Sequence, residues 1–437
     1  MTERSGYRPS FWRGVFYLIV ATGLVLTVVR FAKGLGAVTN LSDQYPWGLW
    51  KAFNVLAAVG LGGAGFTVMG TVYVCNAKKF RPIVRPAVLI AFLAYSSVAV
   101  ALAIDIGRPW AIWHPLVMWN PSSVLFDVAW CLMLYTVVLV LEGSGMIFEK
   151  AGWRRLLAAQ RAVTLPVVVV GVILSTLHQS SLGSLFLIVP GKLHVLWYTP
   201  MLPVLFFISA VGAGLAMVIV LSRLSASTFR IRLDLPLLRD LAHVLVAVLG
   251  IYFGLRLFDL AQRGALGTAF GLSYESLMFL FEFLLGVVVP GIMLCSGRVR
   301  SQPRRLYAAS LLVVAGLVVN RLNVSITGFE MAQGGHYVPT FSEVAITLML
   351  VALAFVAFRT AVRFLNVYPE YRIPVTLTNT PVLPPTAVAN RTIEEPLAAT
   401  PTDSPAPGCA EPSLSRRGRR THAAQERARA PQNTKRK

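Results

Sequence analysis

Two carboxylates and a phenol are spaced along one predicted face of an apolar segment. Asp127, Tyr135 and Glu142 all lie in the run FDVAWCLMLYTVVLVLE. In a helix these three positions and Cys131 fall within about 80° of arc, and Asp127 and Glu142 are about 22 Å apart along the axis. The pattern indicates a relay that carries protons across a membrane. The alternative is that Asp127 pairs with Arg256 or Arg321 to hold helices together, while Glu142 lies at the membrane interface.

Other ionisable residues also interrupt apolar segments. An ionised group at a membrane helix centre costs about 2.5–3.5 kcal/mol on insertion scales, so each is a functional candidate. His178 ends one segment in the run STLHQSS, and a neutral imidazole near the outer surface can give or accept a proton near physiological pH. The alternative for His178 is an interfacial histidine bonded to the backbone. The remaining candidates are Asp105, Arg256, Asp259, Glu275, Glu282, Arg321 and Glu343.

The composition places these residues in a membrane protein. Of the 437 residues, 56% are hydrophobic and only 14% are charged, and the mean hydropathy is +0.65. Soluble proteins carry roughly 25% charged residues, so neither a soluble globular fold nor a disordered chain fits. A bilayer core needs about 20 apolar residues per helix. About ten such runs are present, and they predict an all-α bundle: 13–33, 49–76, 86–106, 121–142, 162–181, 201–222, 241–262, 273–295, 306–326 and 343–364.

The distribution of basic residues predicts the orientation. The amino terminus, every second loop after it and the segment after the last run hold 22 Lys and Arg, whereas the remaining loops hold five. The positive-inside rule therefore places both termini in the cytoplasm. Since the net charge of +21 is largely explained by topology, we expect no nucleic-acid partner.

The last part of the chain has a different composition. Residues 366–437 contain 11 Pro among 72 residues and end in basic clusters. We predict a polytopic domain over 1–365 and a disordered, basic, Pro-rich cytoplasmic tail over 366–437 that contacts anionic lipid.

Neither a haem nor a metal cluster is expected in this chain. The four cysteines contain no CxxC pair, which argues against an iron–sulfur cluster held by this chain alone. A membrane haem b needs two histidines at similar depth. The apolar runs offer only His178 at the predicted outer end of one helix and His243 at the inner end of another.

The predicted outer loops carry the motifs, and together these resemble a known family. YPWGLW (45–50), DIGRPW (105–110), NPSSVLFD (120–127), LHQSSLGSL (177–185), KLHVLWYTPMLP (192–203) and GGHYVPTFSE (334–343) resemble the HybB branch of the NrfD/PsrC family, the membrane subunits of hydrogenase 2-type complexes. The resemblance spans roughly residues 20–365. Asp127 stands where the family typically has Glu, and Glu142 matches a second family acid.

The resemblance implies a haem-free subunit, not catalytic alone, that exchanges electrons with menaquinone or ubiquinone in the bacterial inner membrane. Its implied partners are a periplasmic four-cluster-type iron–sulfur ferredoxin subunit and the catalytic subunits of a hydrogenase or another oxidoreductase. Proton movement is a further possibility, through Asp127, His178, Tyr135 and Glu142. We expect His178, Asp127 and Arg321 near the quinone head, with Arg256 or Asp259 setting their charge. Trp47, Trp110, Gln179 and Ser180 are expected in the pocket wall or the partner dock.

Two other functions remain open from the sequence. Buried charges in a ten-helix bundle also suit a secondary transporter, although no clear repeat between the halves and no pair of mid-membrane Gly or Pro helix breaks in both halves is apparent. A passive membrane anchor without quinone chemistry is the second alternative.

Overall fold

The computed structural model describes residues 11–43, 45–189, 191–229, 233–333 and 335–368. Within these ranges the chain is helical and contains no strand. Ten described helices are long and apolar enough to cross a membrane, which confirms the predicted fold class. They are α1 Phe11–Lys33, α2 Trp50–Val74, α3 Lys78–Asp105, α4 Val124–Ala151, α5 Arg154–Ser184, α6 Leu202–Phe229, α7 Leu235–Gln262, α8 Tyr274–Cys295, α9 Pro303–Glu330 and α10 Phe341–Phe364.

The helices form two neighbouring groups of four with a flanking pair. Consecutive helices pack together within α2–α5 and within α6–α9, and α6 joins the groups by packing on α2 and α5. Helices α1 and α10 pack against each other, and α10 also contacts α3. Helices α2 and α6 are therefore central, whereas α1 and α5 expose apolar side chains such as Val25 and Val169. Such exposure fits a chain whose solvent on that face is lipid.

The glycine-rich segment 60–66 lies where α2 meets α6. A turn at Gly62 and Gly63 interrupts α2, so this apolar run is not one continuous helix. A Cβ at Gly63 would lie 2.6 Å from the carbonyl oxygen of Ala210, and one at Gly214 would overlap the amide nitrogen of Ala64. The break is thus filled by the close approach of α6, and it does not open a binding site.

We call outer the side that carries the loops 34–49, 106–123, 185–201, 263–273 and 331–340, and inner the opposite side. Which compartment each side faces stays a prediction, as does the orientation of the termini. Most of the predicted tail lies outside the described residues. Its first three residues pack on the inner side, where the Tyr368 hydroxyl donates to Ser225 Oγ at 3.1 Å.

The outer end of α10 is held by a buried acid. Glu343 is fully buried, and its carboxylate accepts hydrogen bonds from Tyr337 and from the Thr340 amide. The Trp50 indole donates to the Glu343 carbonyl at 3.0 Å, which joins α2 to α10. Burial, followed by the bond to Glu343, raises the pKa of Tyr337, so its hydroxyl stays a donor. The burial of Glu343 is therefore explained by its structural role at the outer end of α10.

Candidate functional site

Asp127 lies in the first turn of α4 and contacts α5. Ser123 caps this helix, its Oγ accepting from the Phe126 amide. The Ser181 hydroxyl donates to one Asp127 oxygen, and the Cys131 thiol lies 3.6 Å from the other. Among the described residues no cation forms a salt bridge with Asp127. The alternative of pairing with Arg256 or Arg321 is therefore not what the structure shows.

His178 is one turn from Ser181 on α5, but it lies deeper than the sequence indicated. Its side chain is 1% exposed because α5 continues to Ser184 and the following segment, with Leu185 and Phe186 buried, covers this region. Neither imidazole nitrogen has a hydrogen-bond partner. A buried polar group left unpaired costs about 1–3 kcal/mol, so this site favours a water, a ligand or a transferred proton.

Further unpaired polar atoms surround His178. The Tyr95 hydroxyl, Ser175 Oγ and Gln179 Oε1 are buried without partners. Ring centroids lie 5.5 Å apart for Tyr95 and His178, and 4.7 Å apart for Tyr95 and Tyr135. Gln179 also donates through Nε2 to the Val59 carbonyl at 3.0 Å, which holds α5 against α2. The predicted residues His178, Gln179 and Tyr135 are thus brought together. Tyr95, a residue of α3, lies beside both His178 and Tyr135.

Glu142 lies on the same face of α4 as Asp127 and Tyr135, and it is the innermost of the three. A Cβ at Gly171 of α5 would lie 3.5 Å from a Glu142 carboxylate oxygen and 3.6 Å from the Tyr135 ring, so this glycine gives both side chains room. Glu142 also lines a polar crevice on the inner side. We use the name polar column for the series Asp127, Ser181, His178, Tyr95, Ser175, Tyr135 and Glu142.

Arg256 and Asp259 belong to a different site. Arg256 donates to the Leu196 carbonyl at 2.7 Å, and Thr199 donates to Asp259 at 2.5 Å. Arg263 approaches the same carboxylate at 2.6 Å. These contacts hold the α5–α6 loop against α7. This structural role accounts for the burial of both Arg256 and Asp259.

Arg321 is likewise in the second group of helices. It donates to Ser209 at 2.8 Å, and its guanidinium lies 3.5 Å from the Phe206 ring centroid. Nearby, Glu282 accepts from Asn323 at 2.8 Å and from the Trp197 indole at 3.1 Å. No described contact joins these residues to His178. The structure therefore separates Arg321, Arg256 and Asp259 from the polar column.

The residues predicted to form the pocket wall or the partner dock do not lie together at one site. Trp110 is 73% exposed at the outer surface. Trp47 packs edge-on against Phe186, with ring centroids 4.7 Å apart, and covers the outer side of the α2–α5 group. Ser180 accepts at its backbone carbonyl from Ser184. None of these contacts places Trp110 beside His178.

An open apolar groove lies between the outer halves of α3 and α4. Its volume is about 2380 Å³, including the part open to the outside, and its walls include Ala99, Leu102 and Leu132. Lys51 and the buried Asp105 form an ion pair of 3.0 Å in it. Lys51 was missed from the sequence, although a lysine beside Trp50 inside an apolar run was a usable signal.

The groove leads toward the polar column along α3. Leu102, Ala99 and Tyr95 follow one another on one helical face, and Leu102 and Leu132 pack in the same apolar cluster as Tyr95 and Tyr135. On α4, by contrast, the groove residues face away from Asp127. Tyr95 itself is fully buried and does not line the groove, but it lies one turn from the wall residue Ala99 and is the column residue nearest to the groove along α3.

Comparison with known proteins identifies the family. The model of the family described as "Polysulphide reductase, NrfD" matches residues 37–332. The chain belongs to the NrfD family. A protein of Nitratidesulfovibrio vulgaris Hildenborough, named without a function, is 36% identical over 371 residues, which cover 81% of this chain and 94% of that protein.

Two further NrfD-family relatives have informative names. The "Probable Ni/Fe-hydrogenase 2 b-type cytochrome subunit" of Escherichia coli K12 is 32% identical, with 82% of this chain and 92% of that protein covered. The "Menaquinone reductase, integral membrane subunit" of N. vulgaris Hildenborough is 27% identical with the same coverages. These matches confirm the family predicted from the motifs and the similarity to the hydrogenase 2 membrane subunit.

Proposed function

We propose that this chain is the haem-free, quinone-reactive membrane subunit of a respiratory oxidoreductase. Relatives named for hydrogenase 2 and for menaquinone reductase support this general role. The observation that carries the proposal is the open groove, whose α3 wall continues along the same helical face to Tyr95 of the polar column. Such a site combines apolar space for a prenyl tail with a route for protons.

The groove residues fit a quinone. Ligand sites are mostly apolar with a few polar groups that orient the ligand, and here Leu102 and Leu132 supply apolar wall while Lys51 and Asp105 supply the polar pair. A quinone supplies two-electron, two-proton chemistry. Tyr95 and His178 would then pass protons between the groove and Asp127, because a neutral imidazole both accepts and donates.

The partners are proposed by analogy with the relatives. We infer that electrons arrive through a periplasmic four-cluster-type iron–sulfur subunit docked on the outer loops, and that a hydrogenase or another oxidoreductase supplies the catalytic subunits. The excess of basic residues in the inner loops supports an outer face toward the periplasm of a bacterial inner membrane.

The haem-free part of the proposal differs from the cytochrome name of the E. coli relative. His178 lies six residues before the outer end of α5, and His243 lies eight residues after the inner start of α7, where it is exposed. Two histidines at opposite ends of the membrane do not share one iron. A reduced-minus-oxidised absorption spectrum of the isolated chain is expected to lack a b-type α-band, and such a band would overturn this part.

Filling the groove tests quinone binding directly. Ala99→Trp places a large ring inside the groove, whereas Val100→Trp places the same ring on the next face of α3, where Val100 is 51% exposed. We expect Ala99→Trp to lower quinone-linked turnover at least tenfold while activity with a soluble dye acceptor persists. Val100→Trp is the control and should remain active. Equal activity of the two variants would refute a quinone site in this groove.

A further inference from the structure

A second concave site lies at the inner ends of α2–α5. This crevice has a volume of about 1060 Å³, and all four helices of the group contribute to its walls. Its charged lining residues are Arg81, Arg85, Arg161 and Glu142. The crevice therefore carries more positive than negative charge, and it is separate from the groove proposed for the quinone.

Of the three arginines, only Arg85 forms an ion pair with a described residue, although Arg161 also lies in the field of the same Glu149 carboxylate. Arg85 pairs with Glu149 at 2.5 Å and donates to the Asn366 carbonyl at 2.8 Å. Arg81, at the start of α3, and Arg161, in the second turn of α5, form no hydrogen bond or ion pair with a described residue. Their charges remain available to an anion from outside the protein.

The rest of the lining distinguishes the kind of anion. Tyr73, Gln160 and Thr164 add hydrogen-bonding groups, while Met69, Val84, Val88, Met146 and Leu157 form apolar wall. Gly145 leaves room for Gln160, since a Cβ there would lie 3.0 Å from its amide oxygen. A basic, polar site that also offers apolar wall at the end of membrane helices suits a phosphate group attached to acyl chains.

We propose that this crevice binds the phosphate of an anionic phospholipid from the inner leaflet, with Arg81 and Arg161 as its main ligands. Guanidinium groups bind phosphate oxygens through paired N–H donors, which makes arginine the suited residue for this task. A soluble phosphate offers the same oxygens without the acyl chains, so the test separates the two sources.

The test measures lipid retention by the full chain purified with its natural partners. Native mass spectrometry follows the binding of phosphatidylglycerol and of phosphatidylcholine to the wild type and to the double variant Arg81→Gln/Arg161→Gln. The matched control is Arg304→Gln/Arg305→Gln, two exposed inner-side arginines of α9 outside the crevice. We expect the first double variant to bind phosphatidylglycerol at least tenfold more weakly, and the control to bind like the wild type.

A second measurement keeps the result interpretable. Because Arg81 and Arg161 are exposed and form no ion pair with a described residue, their removal should leave the melting temperature in phosphatidylcholine nanodiscs nearly unchanged. Stabilisation by inorganic phosphate alone, lost in the double variant, would support the phosphate site and assign it to a soluble anion. Undiminished phosphatidylglycerol binding by the double variant, or no effect of either phosphate source on the wild type, would overturn the proposal.

Discussion

The imidazole of His178 lies 5.5 Å from the ring of Tyr95, centroid to centroid, and neither of its nitrogens has a hydrogen-bond partner. Buried polar groups in proteins are almost always paired. An unpaired histidine beside an unpaired tyrosine hydroxyl therefore indicates a site that water or substrate completes. His178 also lies one turn from Ser181, whose hydroxyl donates to Asp127, so a proton at His178 is close to that carboxylate.

His178 is expected to be required for turnover with quinone. Positioned acid–base groups contribute typically 10²–10⁴-fold to a rate, so His178→Phe should lower quinone-linked activity about 100-fold in membranes. His243→Phe is the control, because that histidine is exposed near the inner start of α7. A passive anchor predicts full activity for both variants, and full activity of His178→Phe would exclude the proposed role.

Asp127 is expected to act through its carboxylate. Asp127→Glu keeps the charge and should retain most of the quinone-linked turnover. Asp127→Asn should lower that turnover at least tenfold. Ser181→Ala removes the hydroxyl that donates to Asp127 and should cause a smaller loss, since the carboxylate itself remains. Quinone-linked activity at several pH values measures all three. The carboxylate role would be refuted if Asp127→Asn matched the wild type.

The sequence predicted the helices well because their signal is local. Apolar runs of about 20 residues need no tertiary information, and all ten appear. Helical periodicity likewise placed Asp127, Cys131, Tyr135 and Glu142 on one face. Partners across helices carry no such signal. Tyr95 was overlooked because a tyrosine in an apolar run is ordinary until its neighbours are known.

The assignment of basic residues shows the same limit. Arg321, Arg256 and Asp259 were grouped with His178 because all are polar and near the predicted outer half. Which of the two helix groups each one faces depends on packing. The packing places Arg256 and Asp259 against the α5–α6 loop and Arg321 against α6. The depth of His178 was also misjudged, since the end of α5 at Ser184 is set by the segment that folds over it.

Arg263 is expected to stabilise the α5–α6 loop. It donates to the carbonyls of Val195 and Tyr198 at 2.6 and 2.7 Å and pairs with the buried Asp259. Arg263 is partly exposed, and Arg256 remains 3.7 Å from the same carboxylate, so the removal of Arg263 should cost less than the roughly 3–5 kcal/mol typical of a fully buried pair. This removal still leaves the buried Asp259 with fewer partners. Arg263→Met should therefore lower the melting temperature clearly, and Arg298→Met, an exposed residue on the inner side, should not. Equal melting temperatures would contradict this account.

His194 is expected to make the same loop sensitive to acid. Burial lowers the pKa of His194, and Glu275 opposes this shift more weakly. The Leu196 amide donates to its Nδ1 at 3.2 Å, which requires that nitrogen to be unprotonated. The folded loop therefore binds fewer protons than the unfolded chain, and its stabilisation is present above about pH 6.5 and lost as the pH falls below that value.

Hydrogen exchange of the amides in 192–199 measures this effect. Exchange should be faster at pH 5.5 than at pH 7.5 after correction for the intrinsic rate, and His194→Asn should remove the difference. His114→Asn changes a histidine of another outer loop and should leave the difference intact. A pH-dependent difference that survives in His194→Asn would assign the effect to another group.

Glu142 is expected to connect the polar column to the inner side. Its carboxylate lines the inner crevice and lies next to Gly171 and Tyr135, so it is the innermost acid of the polar column. In proteoliposomes that hold the whole complex, Glu142→Gln should abolish or strongly reduce proton movement during quinone-linked turnover.

Glu149→Gln is the control. It changes an acid two turns further along α4 that pairs with Arg85, and it should leave proton movement intact because it lies outside the column. Electron transfer should survive in both variants, since the groove is at the other end of the helices. Proton movement equal to that of the wild type in Glu142→Gln would remove this residue from the path and confine proton exchange to the outer half of the membrane.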